Sequence, residues 1–318
     1  MSGITLRAPG LEDLPVAVEF LNSWARALHG SDELSEAELR SWWTGPGLDL
    51  QADVRLAHTV SDEVAGYVDV SDVGARHVEL WIDARVHPEH PPGIADELLR
   101  WAEGRARELA SAAPGGETPI ARAGTWSTDG DGLEALERSG YRLVRHSFRM
   151  EISLGETRPE PPSWPDGIRL RSFEPDADER AVYDAQNDAF ADSWDYHPDP
   201  FEEWAHWVPS AEDFDPDLNL VAMDNGEIAG IALCRPYEPG NAELGWVRIL
   251  GVRPSWRRRG LALALLRHAF GEFHDRGLRR VGLGVDAESP TGAVRLYERA
   301  GMAVVRRFDI FEKPLRAG

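Results

Sequence analysis

Four short segments from the first half of this chain recur in the second half. They keep their order and return at a nearly constant offset of 161 to 166 residues: Ile4–Arg7 as Ile168–Arg171, Glu63–Gly66 as Glu227–Gly230, Val86–Pro88 as Val252–Pro254, and Glu137–Gly140 as Glu298–Gly301. This period is too long for a solenoid, whose repeats span roughly 20–50 residues. The repeat therefore predicts two similar globular domains in tandem.

A proline-rich segment separates the two halves. It contains four prolines, Pro159, Pro161, Pro162 and Pro165. Each proline lacks a backbone N–H and fixes φ, which favours a semi-extended linker. We therefore expect a first domain over residues 1–155, a linker over residues 156–166 and a second domain over residues 167–318.

Helix-like and strand-like patterns are mixed within each half. Leu261–Phe273 carries apolar residues on one helical face, whereas Leu218–Asp224 and Glu227–Cys234 predict two strands joined by a hairpin turn at Asn225-Gly226. The order implies an α/β fold in each half, with a mixed, mostly antiparallel sheet flanked by helices. No Gly-x-Gly-x-x-Gly opens the helix at Leu261, which argues against a dinucleotide-binding fold.

The composition excludes several classes of function. With 55 acidic and 34 basic residues the formal net charge is −21, whereas nucleic-acid binding requires basic surface. No apolar run approaches the roughly 20 residues that span a bilayer, and the first residues lack the apolar segment of a signal peptide. We expect a cytoplasmic protein without a membrane partner. The single Cys234 excludes an intrachain disulfide, and His87 and His90 lack a third ligand, so no metal site is expected.

Three consecutive arginines stand out against the acidic background. Arg257–Arg259 lie between a strand-like run that ends at Val252 and the helix that begins at Leu261. A helix N-terminus offers unpaired N–H groups and the positive end of a dipole, which suits a phosphate group. Gly260 has no Cβ, so an anion could approach the backbone there. Taken alone, this turn fits a solvated helix start equally well.

Segments of the second half resemble the GNAT superfamily of N-acetyltransferases. Arg257–Ala262 resembles the family signature Arg/Gln-x-x-Gly-x-Gly/Ala, and Val252–Pro254 lies where the family ends its central strand. Val285–Ser289 with Ala293–Gly301 resembles the family's last motif, which contains Leu-Tyr-x-x-x-Gly. The segments follow the family's order and spacing, and the repeat extends the resemblance to the first half. The architecture is similar to that of tandem GNAT proteins, among them the mycothiol synthases.

The resemblance implies a binding site for acetyl-CoA as co-substrate. The pyrophosphate would be bound by backbone N–H groups of a segment that we call the arginine turn: Arg257, Arg258, Arg259, Gly260, Leu261 and Ala262. The strand end formed by Leu250, Gly251 and Val252 would splay from the next strand and pair with the pantetheine arm. Ser289 lies near a position where the family usually has asparagine, and its hydroxyl can still donate and accept a hydrogen bond.

The resemblance also implies two catalytic residues. Tyr297 would lie near the thioester sulfur and protonate the leaving thiolate, unless it is a core residue. Glu243, at the start of the central strand, would be the base, with a water chain as the alternative. Strand alternation places Glu243 on the same face as Gly245, Val247 and Ile249 unless a bulge intervenes.

Residues that follow the first helix of the second half are candidates for the acceptor site. Trp194, Asp192 and Tyr196 could bind the acceptor, with Asp192 attracting a cationic amine. Two alternatives stay open. Trp204 and Trp207 could line the same pocket, or the aromatic residues between 201 and 207 could instead pack a short helix onto the core. Likewise, Asp192 could belong to a solvated acidic loop.

The first half has lost the corresponding site. Its turn, between Val86 and Gly93, is one residue shorter and has no arginine, and Pro91 and Pro92 lack the N–H donors that a phosphate needs. Leu136 aligns with Tyr297. We therefore expect a degenerate first domain that supports the fold or shapes the acceptor site.

Three functions follow from these observations. The leading hypothesis is an N-acetyltransferase that moves an acetyl group from acetyl-CoA to a primary amine of a small molecule, by direct attack in a ternary complex in the second domain. The alternatives are acetylation of a cysteinyl sugar, as in the mycothiol synthases, and a non-catalytic acyl-CoA-binding sensor.

Overall fold

The computed structural model describes residues 3–91, 93–209, 214–238 and 240–315, so Pro92 of the first turn lies outside the described residues. The chain forms two compact units. Of the described residues, the first unit takes 3–146, 240–241 and 307–315, and the second unit takes 147–238 and 242–306.

The first half of the chain contains six strands and five α-helices among its described residues: β1 (Thr5–Arg7), α1 (Leu14–His29), α2 (Glu36–Thr44), α3 (Leu50–Asp53), β2 (Val54–His58), β3 (Val64–Asp72), β4 (Glu79–Val86), α4 (Gly93–Ala110), β5 (Ile120–Trp126), α5 (Gly130–Arg138) and β6 (Arg142–Ser153). The second half mirrors this order with one helix fewer: β7 (Ile168–Ser172), α6 (Glu179–Phe190), α7 (Phe201–Trp207), β8 (Leu220–Asp224), β9 (Glu227–Arg235), β10 (Leu244–Val252), α8 (Leu261–Asp275), β11 (Arg280–Asp286), α9 (Ala293–Arg299) and β12 (Ala303–Pro314).

Each unit is built on a mixed, mostly antiparallel sheet, which confirms the expected α/β fold class. The strand order is β1-β2-β3-β4-β5-β12 in the first unit and β6-β11-β10-β9-β8-β7 in the second. The pairs β4–β5 and β10–β11 are parallel, whereas the other pairs described within each unit are antiparallel. Asn225 and Gly226 form the expected hairpin turn, with φ angles of 50° and 89°.

The final strand of each half contributes to the sheet of the other unit. Residues 147–153 of β6 pair with β11 in the second unit, and residues 308–314 of β12 pair with β5 in the first. The compact units therefore differ from the expected boundaries at residues 155 and 167. Because β6 and β12 are equivalent 12-residue strands of the repeat, exchanging them preserves the apolar pattern that the sequence displays.

Helices cover both faces of the sheet in the second unit. On one face α8 and α9 bury a core that includes Val247, Leu265 and Leu283. On the other face α6 and α7 bury a core that includes Val182 and Ile231. In the first unit α4 and α5 cover one face of the sheet and α1 and α2 cover the other.

The proline-rich linker is bound along α8. The guanidinium of Arg158 donates from Nε to both carboxylate oxygens of Asp275, at 2.9 Å each. The same guanidinium packs against Gly271 of α8. A Cβ on Gly271 would lie only 3.0 Å from it, so glycine at this helical position leaves room for the arginine. At the other end of α8, Arg259 donates to the carbonyl of Asp166 at 3.2 Å. The linker is thus anchored at both ends of α8.

No helix within the described ranges is both long and apolar enough to cross a bilayer.

Close packing between β10 and α8 yields a stability prediction. A Cβ on Gly245 would lie 2.4 Å from Cδ1 of Phe273, whereas a Cβ on Gly284 meets no atom within 4 Å. We expect Gly245→Ala to lower the free energy of unfolding by about 1–3 kcal/mol, because Phe273 must move. The matched variant Gly284→Ala should change it by less than about 0.5 kcal/mol. Urea denaturation measures both, and equal effects would contradict the packing described.

Candidate active site

The two parallel strands of the second unit stop pairing partway along their length. The β10–β11 register runs from Leu244–Arg280 to Val247–Leu283, yet β10 continues to Val252 and β11 to Asp286. Each strand keeps its antiparallel neighbour on the other side. The strands therefore part after Val247 and Leu283, so Leu250, Gly251 and Val252 lie apart from β11, as the family resemblance implies. A strand edge without its neighbour can pair with an extended ligand that contains amides.

A β-bulge at Arg248 changes which residues of β10 face each helix layer. The β9–β10 register shifts between Val247 and Ile249. Val247 and Leu250 belong to the core under α8, whereas Ile249 packs with the core under α6. The bulge is the exception that the sequence analysis left open: it inserts one residue into the alternation, so Ile249 leaves the face that Gly245 and Val247 share.

Gly251 lies at the closest approach between β10 and α6. A Cβ at this position would lie 3.1 Å from the Cβ of Ala189 and 3.2 Å from Cε2 of Phe190. Glycine therefore allows the C-terminal end of α6 to lie directly against the part of β10 that has left β11.

The arginine turn connects this strand to α8. After a short 3₁₀ turn at Pro254–Trp256, Arg258 and Gly260 adopt left-handed conformations with φ angles of 60° and 86°. This conformation is unfavourable for a non-glycine residue, so the contacts around Arg258 must maintain it. Gly260 caps α8 without a side chain, and the first helical bond runs from the N–H of Ala264 to Gly260.

The start of α8 offers donors to an anion. Among the described residues, no protein acceptor lies within hydrogen-bonding distance of the N–H groups of Leu261, Ala262 and Leu263. These are the orphan donors of a helix N-terminus, at the positive end of its dipole. A Cβ at Gly260 would meet open space, so the approach to them is clear.

The side chains of the three arginines have different partners. Arg257 is bound to Asp192 by two hydrogen bonds, and it also donates to the carbonyls of Ala189 and Val252 at 2.9 and 3.2 Å. Arg259 contacts the carboxylate of Asp224 at 3.5 Å in addition to the linker. Arg258 has no hydrogen-bond or ion-pair partner within the described ranges, so its charge is available to a ligand.

Tyr297 lies in the core beside the point where the strands part. It packs in the same cluster as Val247, Leu283 and Val285 and is only 7% exposed. Burial raises the pKa of Tyr297 to about 12, so the phenol keeps its proton at neutral pH. Its hydroxyl has no hydrogen-bond partner in the described part of the chain. Tyr297 is therefore a protonated phenol whose hydroxyl none of the other described residues uses.

Ser289 lies in the loop between β11 and α9. Its hydroxyl is 3.0 Å from that of Thr291, and its N–H donates to the carbonyl of Asp286 at 3.2 Å. The loop follows the end of β11, which is the same end of the parallel pair as the arginine turn. Ser289 therefore belongs to the candidate site by position, although its hydroxyl already has a neighbour.

Glu243 does not lie where the strands part. It precedes β10 in an exposed turn. Because a strand rises about 3.3 Å per residue, Glu243 is about 13 Å along the chain from Val247. Its position is compatible with proton transfer to solvent and is remote from Tyr297 along the strand.

A second carboxylate, Glu238, lies beside the start of β10, where its N–H donates to the carbonyl of Leu244 at 2.6 Å, and it has no counterpart among the sequence predictions. Its side chain is buried and forms an ion pair with Arg149 of β6. Arg149 lies opposite Gly284, the first residue of β11 beyond the last β10–β11 pair. Glu238 belongs to the irregular connection between β9 and β10, where no periodic pattern marks a buried position.

The residues expected to bind the acceptor divide into two groups. Tyr196 lies at the end of α6, where its hydroxyl donates to Asn187 at 2.6 Å and its ring lies 5.9 Å from that of Phe190. Trp194 is 36% exposed beside it. Trp204, in contrast, is buried and donates to Gln186 at 2.8 Å, so α7 packs onto α6 as the alternative reading expected.

Asp192 is occupied by a protein cation. The hydrogen bond from Arg257 lowers the pKa of its carboxyl group, and the attraction of the guanidinium adds to this effect. Its carboxylate therefore neutralises an arginine of the turn, which weakens the case for Asp192 as the group that attracts a cationic amine.

The first unit repeats the parted strands without the anion site. β4 and β5 pair only from Glu79–Ile120 to Ile82–Ala123, but the β3–β4 register is continuous and has no bulge. At the turn, the N–H of Ile94 already donates to Pro91 at 3.1 Å. Leu136, which aligns with Tyr297, is a buried core residue.

A buried polar layer replaces apolar residues in the first unit. The pair Gly66–Val86 corresponds to Gly230–Val252 in the repeat. It follows that four polar residues occupy the positions of four apolar or small ones: Tyr67 for Ile231, Asp69 for Leu233, Asp83 for Ile249 and Arg85 for Gly251. Asp69 accepts hydrogen bonds from Tyr67 and Trp42 at 2.7 and 3.0 Å.

This layer makes the first unit sensitive to pH. Burial and the nearby Asp83 raise the pKa of Asp69 to about 7, against about 3.9 in an unfolded chain. The folded state therefore binds this proton more tightly, so the stability contributed by protonated Asp69 is fully present below about pH 4 and is lost as the pH rises through 7. The parent should lose stability as Asp69 ionises, whereas Asp69→Asn has no carboxyl group to ionise at this position. We therefore expect the free energy of unfolding of Asp69→Asn, minus that of the parent, to rise by about 2 kcal/mol from pH 5 to pH 8.

Denaturation at the two pH values tests this prediction. Asp96→Asn, at an exposed carboxylate on α4, is the matched control. If the two variants show the same dependence on pH, Asp69 does not hold the proton.

The chain is similar in sequence to a known protein family and to several named proteins. The family described as "Acetyltransferase (GNAT) family" matches residues 180–302. A mycothiol acetyltransferase of Cellulomonas flavigena is 30% identical over 277 residues, which cover 81% of this chain and 73% of that protein. A mycothiol acetyltransferase of Salinispora tropica is 39% identical over 169 residues, and this match spans about half of each protein, 51% of this chain and 53% of the relative.

Solved structures are similar over the whole chain. A GCN5-related N-acetyltransferase from Sphaerobacter thermophilus has a TM-score of 0.82 and 36% identity, covering 100% of this chain and 98% of that one. A tandem GNAT protein from the clavulanic acid biosynthesis pathway has a TM-score of 0.75 at 13% identity and 99% coverage of both chains, and this likeness concerns the fold alone.

Proposed function

The chain belongs to the GNAT acetyltransferase family, and we propose that its second unit transfers an acetyl group from acetyl-CoA to the primary amine of a small molecule. One observation carries this proposal: the strands that part after Val247 and Leu283 lead directly into an uncapped helix N-terminus, beside a buried phenol. The first unit has the parted strands without the free donors or the phenol.

The chain's own groups fit the parts of acetyl-CoA. The N–H groups at the start of α8 and the charge of Arg258 would bind the pyrophosphate. The edge of β10 at Leu250, Gly251 and Val252 would pair with the amides of the pantetheine arm. Ser289 would close the site from the β11–α9 loop. Arg257 and Arg259 would act through the turn that their side chains hold, because both are bound to protein acceptors.

The reaction is an aminolysis of a thioester. The amine nitrogen forms a bond to the acetyl carbon, the carbon–sulfur bond breaks, and the sulfur leaves with the bonding electrons. Tyr297, which is protonated at neutral pH, donates a proton to this thiolate. The amine loses its own proton to a carboxylate or to water.

Two carboxylates compete for the role of base. Glu243 is the candidate from the sequence, and Glu238 is the candidate from the fold. We favour Glu238, acting through water, because its carboxylate is buried and pairs with Arg149 of β6, whose backbone lies opposite Gly284 at the parting point. Glu243 lies about four strand residues away from that point.

The acceptor could be a cysteinyl sugar. This second candidate is favoured by the relatives, since proteins 29–39% identical to this chain are named mycothiol acetyltransferases. A non-catalytic acyl-CoA sensor is less well supported, because a sensor has no use for a buried proton donor at the thioester.

A panel of primary amines tests the proposed reaction. Purified protein is incubated with acetyl-CoA and each amine, including a cysteinyl amino sugar, and free CoA is measured by chromatography. Amine-dependent release of CoA is the expected result, and the best amine identifies the acceptor class. Binding of acetyl-CoA without release for any amine would favour the sensor.

Removal of the phenol tests the proton donor. Tyr297→Phe should lower kcat by roughly 10²-fold, the usual contribution of a positioned acid, and leave the affinity for acetyl-CoA nearly unchanged. Tyr141→Phe is the matched control, because Tyr141 is also a buried tyrosine without a hydrogen-bond partner for its hydroxyl in the described residues. Equal kcat values for the two variants would remove Tyr297 from the mechanism.

The base is tested by a pair of isosteric variants. Glu238→Gln should lower kcat at neutral pH by roughly 10²-fold or more, and Glu243→Gln should lower it by less than about 3-fold. A rise in the pH at which activity is half-maximal would accompany loss of the base. The opposite ranking of the two variants would return the role to Glu243.

A further inference from the structure

Arg257 connects the arginine turn to the helix that borders the acceptor side. Its guanidinium spans Asp192 and the carbonyl of Ala189, both at the C-terminal end of α6, and the carbonyl of Val252 at the end of β10. A second tie runs parallel to it, because Arg253 donates to Asp188 of α6 at 2.7 Å. Arg257 occupies the first position of the family's signature, and its side chain thus binds α6 and β10 and not the region of the free N–H groups of α8.

The end of α6 is also the part of the helix that lies over the parted strand. Phe190 approaches Gly251, and its ring lies beside that of Tyr196, whose hydroxyl bonds back to Asn187. We call residues 187–197 the acceptor wall. Its backbone is fixed to the arginine turn by the contacts of Arg257.

The first unit lacks this connection from its turn. Its tie to the segment after α1 comes from the strand instead, where Arg85 of β4 donates to Glu33 at 2.8 Å. Arg26 near the end of α1 pairs with Glu19 and Asp32. Among the described residues, no hydrogen bond or ion pair joins the turn at 87–91 to α1 or to residues 30–34. A tie that runs from the turn itself therefore accompanies the candidate anion site of the second unit.

We propose that Asp192 is a positioning residue, which acts through Arg257 to couple occupancy of the arginine turn to the order of the acceptor wall. This inference rests on the proposed function, because it takes the turn as the CoA site. A ligand that orders the turn also restricts the motion of Arg257. Because Arg257 is hydrogen-bonded to Asp192 and to the carbonyl of Ala189, these two residues become more ordered as well. Acetyl-CoA and the amine are then bound with positive coupling.

The energetics suit such a coupling. The side chain of Asp192 is half-exposed, so one ion pair there adds little to the stability of the whole chain. Its loss should loosen the acceptor wall locally without unfolding the unit.

Hydrogen exchange tests the coupling with CoA as the ligand. In the parent, CoA should slow exchange at residues 257–263 and at the acceptor wall. In Asp192→Asn, the wall should exchange roughly two- to five-fold faster without ligand, the range for one partly exposed ion pair, and CoA should protect only residues 257–263. Arg257→Gln should accelerate exchange of the wall to the same degree.

Asp184→Asn is the matched control, because Asp184 lies on the same helix in an exposed pair with Arg180. It should behave as the parent. Unchanged exchange of the wall in Asp192→Asn, or full protection of the wall by CoA in that variant, would overturn the inference. If CoA fails to protect residues 257–263 in the parent, the proposed function is at fault, and the comparison without ligand still decides whether Asp192 orders the wall.

Discussion

The candidate site depends on a pair of parallel strands that stop sharing hydrogen bonds after Val247 and Leu283. Two further features make the gap usable. The bulge at Arg248 directs Ile249 towards α6 and Leu250 towards α8, so both helix layers keep an apolar cover beside the parted edge. Gly251 then allows α6 to approach that edge.

The arginine turn is maintained largely by its own side chains. Arg253 and Arg257 bind α6, Arg259 binds the linker, and Trp256 donates to Asp224 at 2.8 Å. These contacts explain how a non-glycine residue, Arg258, remains in a left-handed conformation. They leave the backbone donors of α8 and the charge of Arg258 for a ligand, so Arg253, Arg257 and Arg259 contribute mainly as structure.

The two units show how one frame supports different chemistry. Both have parallel strands that part after four pairs, but at four equivalent positions of the neighbouring strands the first unit carries Tyr67, Asp69, Asp83 and Arg85. Burying ionisable groups there costs stability unless hydrogen bonds offset it, and the Tyr67 and Trp42 bonds to Asp69 do so in part. The first unit is therefore polar inside where the second is apolar, and it has no anion site beside its parted strands.

Local patterns made much of this fold predictable. The Asn225-Gly226 hairpin and the glycine before α8 each depend on a few neighbouring residues, and the repeat is visible in short matching segments. The features that were missed depend on distant partners. Exchange of β6 and β12 leaves the sequence pattern unchanged, the bulge is a property of two paired strands, and the Asp192–Arg257 bridge joins residues 65 positions apart. Glu238 lies in an irregular connection where periodicity carries no information.

Titration calorimetry with acetyl-CoA tests the central claim, that one unit carries the site and the other does not. The structure predicts saturable binding of one acetyl-CoA per chain, weakened by Arg258→Glu, because that residue adds the unpaired charge beside the free donors of α8. Saturable binding of two molecules per chain, or binding that Arg258→Glu leaves unchanged, would contradict it.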